Sequence, residues 1–348
     1  MNLKRMALFG VGIALIFAVI NSFGLEQTAA ALVRTNLGLL GLAAVLELAI
    51  IFLFILRLKV LVSGRGYVSF SQMFRISMSG MFISMITPLA KLGGEPLKMY
   101  MMRGNVGSHN ASAAVAIESL MELLSSLLMI FLVAALLFSQ IPPAFVTSLV
   151  IFLVVIGFVM GLLLKIFFTP HWLHKIVNWL SVKMARLVEA EKKDYAKVFS
   201  TAFYDMIRNK RRVYLTFLLS IGMKLLEMLR LWIVFLALGI FLPFSFAVII
   251  WAIILILMFI PWLPGSLGLV EFGGISAIIA FGVSPAGAAS TVVLERLVSF
   301  WLPLAIGLVA FTAAKRRGEL PDILKRKQPA KPRPVSAKPH PVQKLKVK

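Results

Sequence analysis

The sequence predicts an all-α protein, a polytopic membrane helix bundle with an inverted repeat and two re-entrant, broken helical hairpins. Three observations lead there. Of 348 residues, 60% are hydrophobic and 14% charged, with mean hydropathy +0.95, whereas soluble domains carry about 25% charged residues. Apolar runs near 6–24, 37–58, 111–138, 143–164, 214–240 and 285–314 each approach the roughly 20 residues that span a bilayer. Two further apolar stretches, 73–103 and 245–282, are interrupted in the middle by proline, glycine and charge.

Each element follows from local chemistry. The first run follows MNLKR, but no small-residue cleavage site comes after it and more spans follow, so it reads as a retained helix. The first interrupted stretch contains TPLAKLGGEPLKMYMMR, residues 87–103, and the second PGSLGLVEF, residues 264–272. Pro88 and Pro96 lack a backbone donor and disfavour helix at the residue before them, while Gly93 and Gly94 leave the chain free to turn. Each stretch therefore reads as two half-helices. Broken backbone at membrane depth is tolerated only where it is buried in protein or lines a wet cavity.

Charge sets the expected orientation and domain limits. The net charge is +22. Lys4 and Arg5 precede the first run, Arg57, Lys59 and Arg65 follow the second, and eleven Lys and Arg fall in 165–214. Lysine and arginine mark cytoplasmic loops, which places both termini, the 57–72 loop and the linker on the cytoplasmic side of a cell membrane. The transmembrane domain is expected over 1–314, with repeat halves near 37–138 and 214–314 and a cytoplasmic linker over 165–213. Within that linker, 169–190 has the pattern of an interfacial amphipathic helix or of a helix packed on the bundle. The tail 315–348, rich in Lys, Arg and Pro, is expected to be disordered. It would be drawn to the anionic inner-leaflet surface rather than to nucleic acid, for which it offers no aromatic residue to stack on bases.

On this orientation one broken hairpin dips from each face. Pro88 and Glu95 recur as Pro264 and Glu271, each 176 residues on, and Glu118 recurs as Glu295, 177 on. That spacing is the mark of an inverted repeat whose broken helices meet at a midplane site.

Of fourteen acidic residues, seven fall in apolar segments: Glu47, Glu95, Glu118, Glu122, Glu227, Glu271 and Glu295. Facing lipid they would cost roughly 20 kcal/mol together, at about 3 kcal/mol each, so they must be paired, protonated or turned to a polar cavity. Glu47, Glu122 and Glu227 read as structural ion pairs, Glu227 with Lys224 or Arg230 at i−3 and i+3. Glu95, Glu271, Glu295 and Glu118 read as functional, with Lys91, Lys98, Arg296 and Arg75 as cations to hold an anionic headgroup. The chain has no cysteine, which excludes disulfide and thiol chemistry. Its four histidines form no ligand set, so neither a metal nor another cofactor is expected.

Four blocks together, TPLAKLGGEPLKMYMM, AIESLMELL, PWLPGSLGLVEFGG and VVLERLVSFWLPLAIG, resemble the transmembrane domain family of lysyl-phosphatidylglycerol synthases across about residues 5–315. The second proline block departs from the family pattern at its first proline, reading Pro261–Trp262–Leu263–Pro264. The resemblance implies re-entrant helices and movement of a lipid between leaflets. Members fused to a soluble aminoacyl-transferase domain also make the lipid. No such domain follows the last apolar run here, so transport without synthesis is the expectation. Stand-alone members are associated with varied lipids, including polyprenyl-linked sugars and hopanoid-type lipids.

The expected function is thus a flippase-like translocator of an anionic or polyprenyl-linked lipid headgroup, not an enzyme, in a chain able to form a homo-oligomer. A membrane-embedded transferase acting on a lipid phosphate is the second reading, and a scaffold for lipid-synthesis enzymes the third. Against the transferase stands the lack of metal-ligand spacing and of a nucleotide-binding glycine fingerprint.

Overall fold

Polar caps fix where the main helices start. The computed structural model describes residues 25–87, 92–136, 138, 143–169, 175, 195–258 and 266–321. In it the Asn36 side chain accepts hydrogen bonds from the Gly38 and Leu39 N–H groups at 3.0 and 3.2 Å. Ser69, Asn209 and Ser284 do the same for three later helices. These bonds satisfy N–H groups that a helix cannot pair internally.

The regular secondary structure of the described residues is all helical, with no strand among them. In order come α1 (Leu25–Val33), α2 (Leu37–Val62), α3 (Phe70–Met85), a 3-10 turn (Leu92–Gly94), α4 (Glu95–Val106), α5 (Ser108–Leu136) and α6 (Pro143–Phe168). Then follow α7 (Tyr195–Arg208), α8 (Lys210–Ala237), α9 (Phe244–Met258), α10 (Leu269–Ala280) and α11 (Pro285–Arg296). A π-helical turn, Leu297–Trp301, joins α11 to α12 (Leu302–Arg316).

Among the described residues, α2, α5 and the continuous α11–α12 unit are long and apolar enough to cross a membrane. The 26 residues of α2 extend about 39 Å at 1.5 Å per residue, more than the roughly 30 Å hydrocarbon core. With 28 residues α8 is as long, but Lys224, Glu227 and Arg230 interrupt its apolar run. Apolar side chains such as Val45, Phe52, Val154, Phe158 and Leu225 point outward and exposed. An outer surface of this kind suits lipid, and the chain is a membrane helix bundle.

The packing has two main apolar cores with α2 and α8 pressed together between them. The first core joins α2, α3, α4, the first half of α5, α7 and the end of α12. The second joins the far end of α5 with α8, α9, α10 and α11. Along α5 the change comes between Leu124 and Met129, just past Glu118 and Glu122. The polar groups therefore lie at the seam.

Each of the two interrupted stretches is two helices, α3 with α4 and α9 with α10, and each pair packs together. Glycine makes the first pairing close. A Cβ on Gly94 would lie 1.8 Å from the Gly80 carbonyl oxygen, and one on Gly80 would lie 2.5 Å from Lys98 Cγ. In the second stretch Gly268, with φ of 85°, begins α10 in a backbone region that glycine alone adopts readily. The π turn has a local cause too. Pro303 cannot donate a backbone bond and its ring crowds the carbonyl four residues earlier, and the widened turn bonds Leu302 N–H to Leu297 O instead.

Several expectations need correction. The connection 25–36 contains a helix, α1, which packs on α11. Arg57 is not a loop charge, because α2 continues to Val62 and encloses it. The linker includes α7, whose Phe199, Ala202, Phe203 and Met206 pack into the first core. The tail is not disordered from its first residue: α12 runs to Arg316, and Leu320 is buried after a turn at Gly318. The first run 6–24, the prolines Pro88 and Pro264, most of 169–190 and residues 322–348 lie outside the described residues.

Substituting Gly94→Ala must push α3 away from the 3-10 turn. We expect a destabilisation of about 1–3 kcal/mol, the usual cost of overpacking, read as a lower unfolding midpoint in detergent, while Gly104→Ala, where a Cβ meets nothing within 4 Å, leaves the midpoint unchanged or higher.

Candidate functional site

The seam between the cores opens into a cavity of about 780 Å³, within the range of roughly 300–1,000 Å³ typical of ligand sites. Its lining comes from α2, α3, α4, α5, α8, α9, α10, α11, the π turn and α12. Apolar walls, including Phe54, Met81, Met85, Met99 and Phe300, alternate with a stripe of charge. Unbranched methionine adapts to irregular occupants.

The charge is organised in alternating chains. In the first, Glu95 pairs with Lys98 at 3.1 Å, and Lys98 reaches Glu118 at 2.8 Å. Glu118 meets Arg57 at 3.3 Å, and Arg57 meets Glu122 at 2.5 Å. Glu122 then meets Lys224 at 2.6 Å, and Lys224 meets Glu227 at 3.2 Å. Arg57 also donates to Ser220 Oγ at 3.1 Å, and Trp251 Nε1 donates to Glu227 at 3.2 Å. In the second chain Arg230 of α8 sits between Glu47 of α2 and Glu295 of α11, donating to Glu47 and, at 2.6 Å, to Glu295. Beside it Arg296 pairs with Glu271 at 2.7 Å, while the other Glu271 oxygen accepts from the Gly268 N–H at 2.6 Å and so caps α10.

Seven carboxylates thus share five cations among the described residues. Burial decides which of them an occupant meets. In the first chain Glu122, Glu227 and Glu95 keep 23, 19 and 17% of their side-chain surface. Lys98, Arg57 and Lys224 keep 4, 2 and 1%. The cations are hidden behind the carboxylates, and the reachable face is acidic.

The residues singled out in the sequence are distributed as follows. Glu95, Lys98, Glu118, Glu295 and Arg296 line the cavity. Glu271 lies one ion pair behind it, on Arg296. Arg75 does not line it: its guanidinium holds Glu319, past the end of α12, at 2.7 and 2.9 Å, and Ser71 at 2.9 Å. Lys91 lies outside the described residues. Glu227 pairs with Lys224 as expected at i−3, but Arg230 turns instead to Glu47 and Glu295. Glu47, Glu122 and Glu227, read as structural pairs, line the cavity with the others.

Sequence reasoning took Arg57 for a loop charge and missed it as a cavity cation. Its signal was present, since IIFLFILRLKVLV continues apolar on both sides of it and no breaker comes before Ser63 and Gly64. Arg230 and Lys224 were noted only as companions, and no spacing shows that α8 supplies cations to both chains.

These features define an integral membrane helix bundle with a charge-lined cavity. Residues 6–307 match the family described as the lysylphosphatidylglycerol synthase TM region, and the chain belongs to it. It is similar to a UPF0104 membrane protein of Methanothermobacter thermautotrophicus, 29% identical over 89% of this chain and 93% of the relative. It is similar also to UPF0104 membrane proteins of Pyrococcus horikoshii, 23% identical over 88% of this chain and 96% of the relative, and of Methanocaldococcus jannaschii, 25% identical over 90% and 96%.

Removing the central cation leaves Glu118 and Glu122 with one cation each, Lys98 and Lys224. Arg57→Met is expected to cost about 3–5 kcal/mol, as breaking a buried pair does. The double variant Arg57→Met with Glu118→Gln should recover part of that loss, and thermal unfolding of the wild type, both single variants and the double variant in detergent measures the coupling.

Proposed function

We propose that this protein moves a lipid headgroup between leaflets, passing it through the charged cavity while the lipid tail stays in the bilayer. One observation carries the reading: a single cavity of about 780 Å³ receives charged or polar side chains from both interrupted helix pairs and from the long helices between them. Glu95 and Lys98 come from the first pair, and Trp251 and Ser266 from the second pair and the residues between its helices. Polar groups flanked by apolar walls suit an amphiphile, whose two ends need both.

The pairing pattern supports an inverted repeat. Helices α2, α3, α4 and α5 stand in the same order as α8, α9, α10 and α11. In each set the first helix gives an arginine to the glutamate of the last, Arg57 to Glu118 and Arg230 to Glu295. The glutamate near the start of each second half-helix, Glu95 or Glu271, takes a cation from the same neighbourhood. On this reading the two pairs are re-entrant hairpins, one from each face, with both termini in the cytoplasm of a cell whose plasma membrane holds the protein. The basic tail would then rest on the anionic inner leaflet.

The acidic face redirects the choice of headgroup. Lys98 and Arg296, expected from the sequence to hold phosphate, are engaged by carboxylates. Glu95, Glu122 and Glu227 face the cavity as acceptors, so the occupant is a headgroup rich in hydrogen-bond donors, such as sugar hydroxyls or an ammonium, rather than a bare phosphate. The chain acts as a transporter and not as an enzyme.

Leaflet exchange of labelled lipids in reconstituted vesicles tests this. Glu95→Gln and Glu122→Gln each remove an acceptor that the cavity exposes, and each should slow exchange at least about tenfold, the loss expected when a charged hydrogen bond of 1.5–3 kcal/mol goes. Folding is checked by unfolding midpoint. Full exchange in both folded variants would remove the cavity from the pathway.

A further inference from the structure

The second chain holds a charge imbalance that lipid movement by itself does not account for. Glu47 and Glu295 converge on one guanidinium, that of Arg230, and the three side chains are 6, 11 and 6% exposed. Arg230 directs Nη1 to Glu47, and Nη2 and Nε to Glu295 at 2.6 and 3.5 Å. One positive charge thus faces two negative ones, with the nearest other cation on its helix, Lys224, bonded to Glu122 and Glu227. Arg296, next to Glu295 in sequence, is bonded to Glu271. The charged groups facing the triad from the packed helices are therefore Glu47 on α2, Glu227 and Arg230 on α8 and Glu295 on α11.

Two carboxylates cannot both stay ionised on a single buried cation without a large desolvation penalty. A second positive charge must enter. Its identity follows from space. A metal ion is repelled by the guanidinium already at the centre, and no group of three or more metal-ligating side chains exists among the described residues. A lipid ammonium needs several acceptors within reach, and these carboxylates are almost closed off. A proton needs neither room nor additional ligands. All three side chains nevertheless line the same cavity as the acceptors of the first chain, so the proton's exit would be into the space that an occupant fills. The triad also joins the two halves, since α2 belongs to one and α8 and α11 to the other. The first chain offers an independent parallel: one oxygen of its terminal carboxylate, Glu95 Oε2, is buried and has no hydrogen-bond partner among the described residues.

We propose that the Glu47–Arg230–Glu295 triad is a proton-binding site, loaded in the conformation described here, and that it releases its proton as a headgroup crosses. The proton moves from a carboxyl oxygen of Glu47 or Glu295 to water in the cavity, leaving both groups as carboxylates, and returns in the reverse step. The binding half stands on the triad itself, and the coupling half rests on the lipid-translocator reading above.

Infrared spectroscopy of the reconstituted full chain tests the binding half. The wild type should show a buried protonated-carboxyl band at neutral pH that disappears at alkaline pH, and Glu47→Gln and Glu295→Gln should each remove a component of it that Glu95→Gln leaves in place. Absence of such a band in the wild type overturns the proposal without any variant needing to fold, and a band unchanged in both folded triad variants overturns it as well. Leaflet exchange over a pH series tests the coupling half. The wild-type rate should change by up to about tenfold per pH unit on one flank, the limit for one proton, and Glu47→Gln should flatten that dependence. Exchange that is insensitive to pH in the wild type overturns the coupling while leaving the translocator reading intact. A titrating band in a protein that exchanges no lipid at any pH supports the proton site and overturns the translocator.

Discussion

Charge buried at membrane depth must be matched by charge, and most of this architecture answers to that constraint. An isolated carboxylate in hydrocarbon is too costly to keep, yet the chain places seven of them in apolar sequence. The structure gathers them into chains in which each buried cation serves two carboxylates or, for Arg296, one. Because the cations on α2 and α8 reach across to α5 and α11, the network crosses the seam between the two apolar cores. An apolar seam could slip into several packings of equal quality. Fixed donor and acceptor geometry allows few.

The broken helices make room for this. Two uninterrupted spans in place of α3–α4 and α9–α10 would fill the centre of the bundle with side chains. Instead α3 and the 3-10 turn meet through bare backbone at Gly80 and Gly94, and Lys98 and Glu95 follow at once on the first turn of α4. A proline in that first turn, Pro96, is tolerated because its missing N–H had no helical partner to lose. Opposite, the π turn at Leu297–Trp301 and Pro303 carry Ser299 and Phe300 into the cavity wall directly after Glu295 and Arg296. Irregular backbone and charge thus fall together at the centre.

Much of this was legible in the sequence, and the reasons differ from residue to residue. The paired half-helices could be read from Pro96, Gly93 and Gly94, because proline and glycine act on their own backbone whatever surrounds them. The i,i+3 pairs Glu95–Lys98 and Lys224–Glu227 were legible because helix geometry fixes that distance. The partner of Arg230 was not. Glu227 at i−3 was as good a choice by spacing as Glu47, which lies 183 residues away. Arg75 illustrates the same limit. It looked like a cavity cation until the end of α12 brought Glu319 to it across 244 residues.

By itself, then, the sequence determined that the chain is an apolar helical bundle, where its helices break, and which carboxylates cannot face lipid, since these depend on covalent geometry and transfer from water. Only the tertiary structure decided that Arg57 lies inside, that cations sit behind carboxylates, and that Glu47 shares one guanidinium with Glu295. Those outcomes depend on which helices touch, and contact between distant helices is settled by the packing of whole faces rather than by any local run of residues.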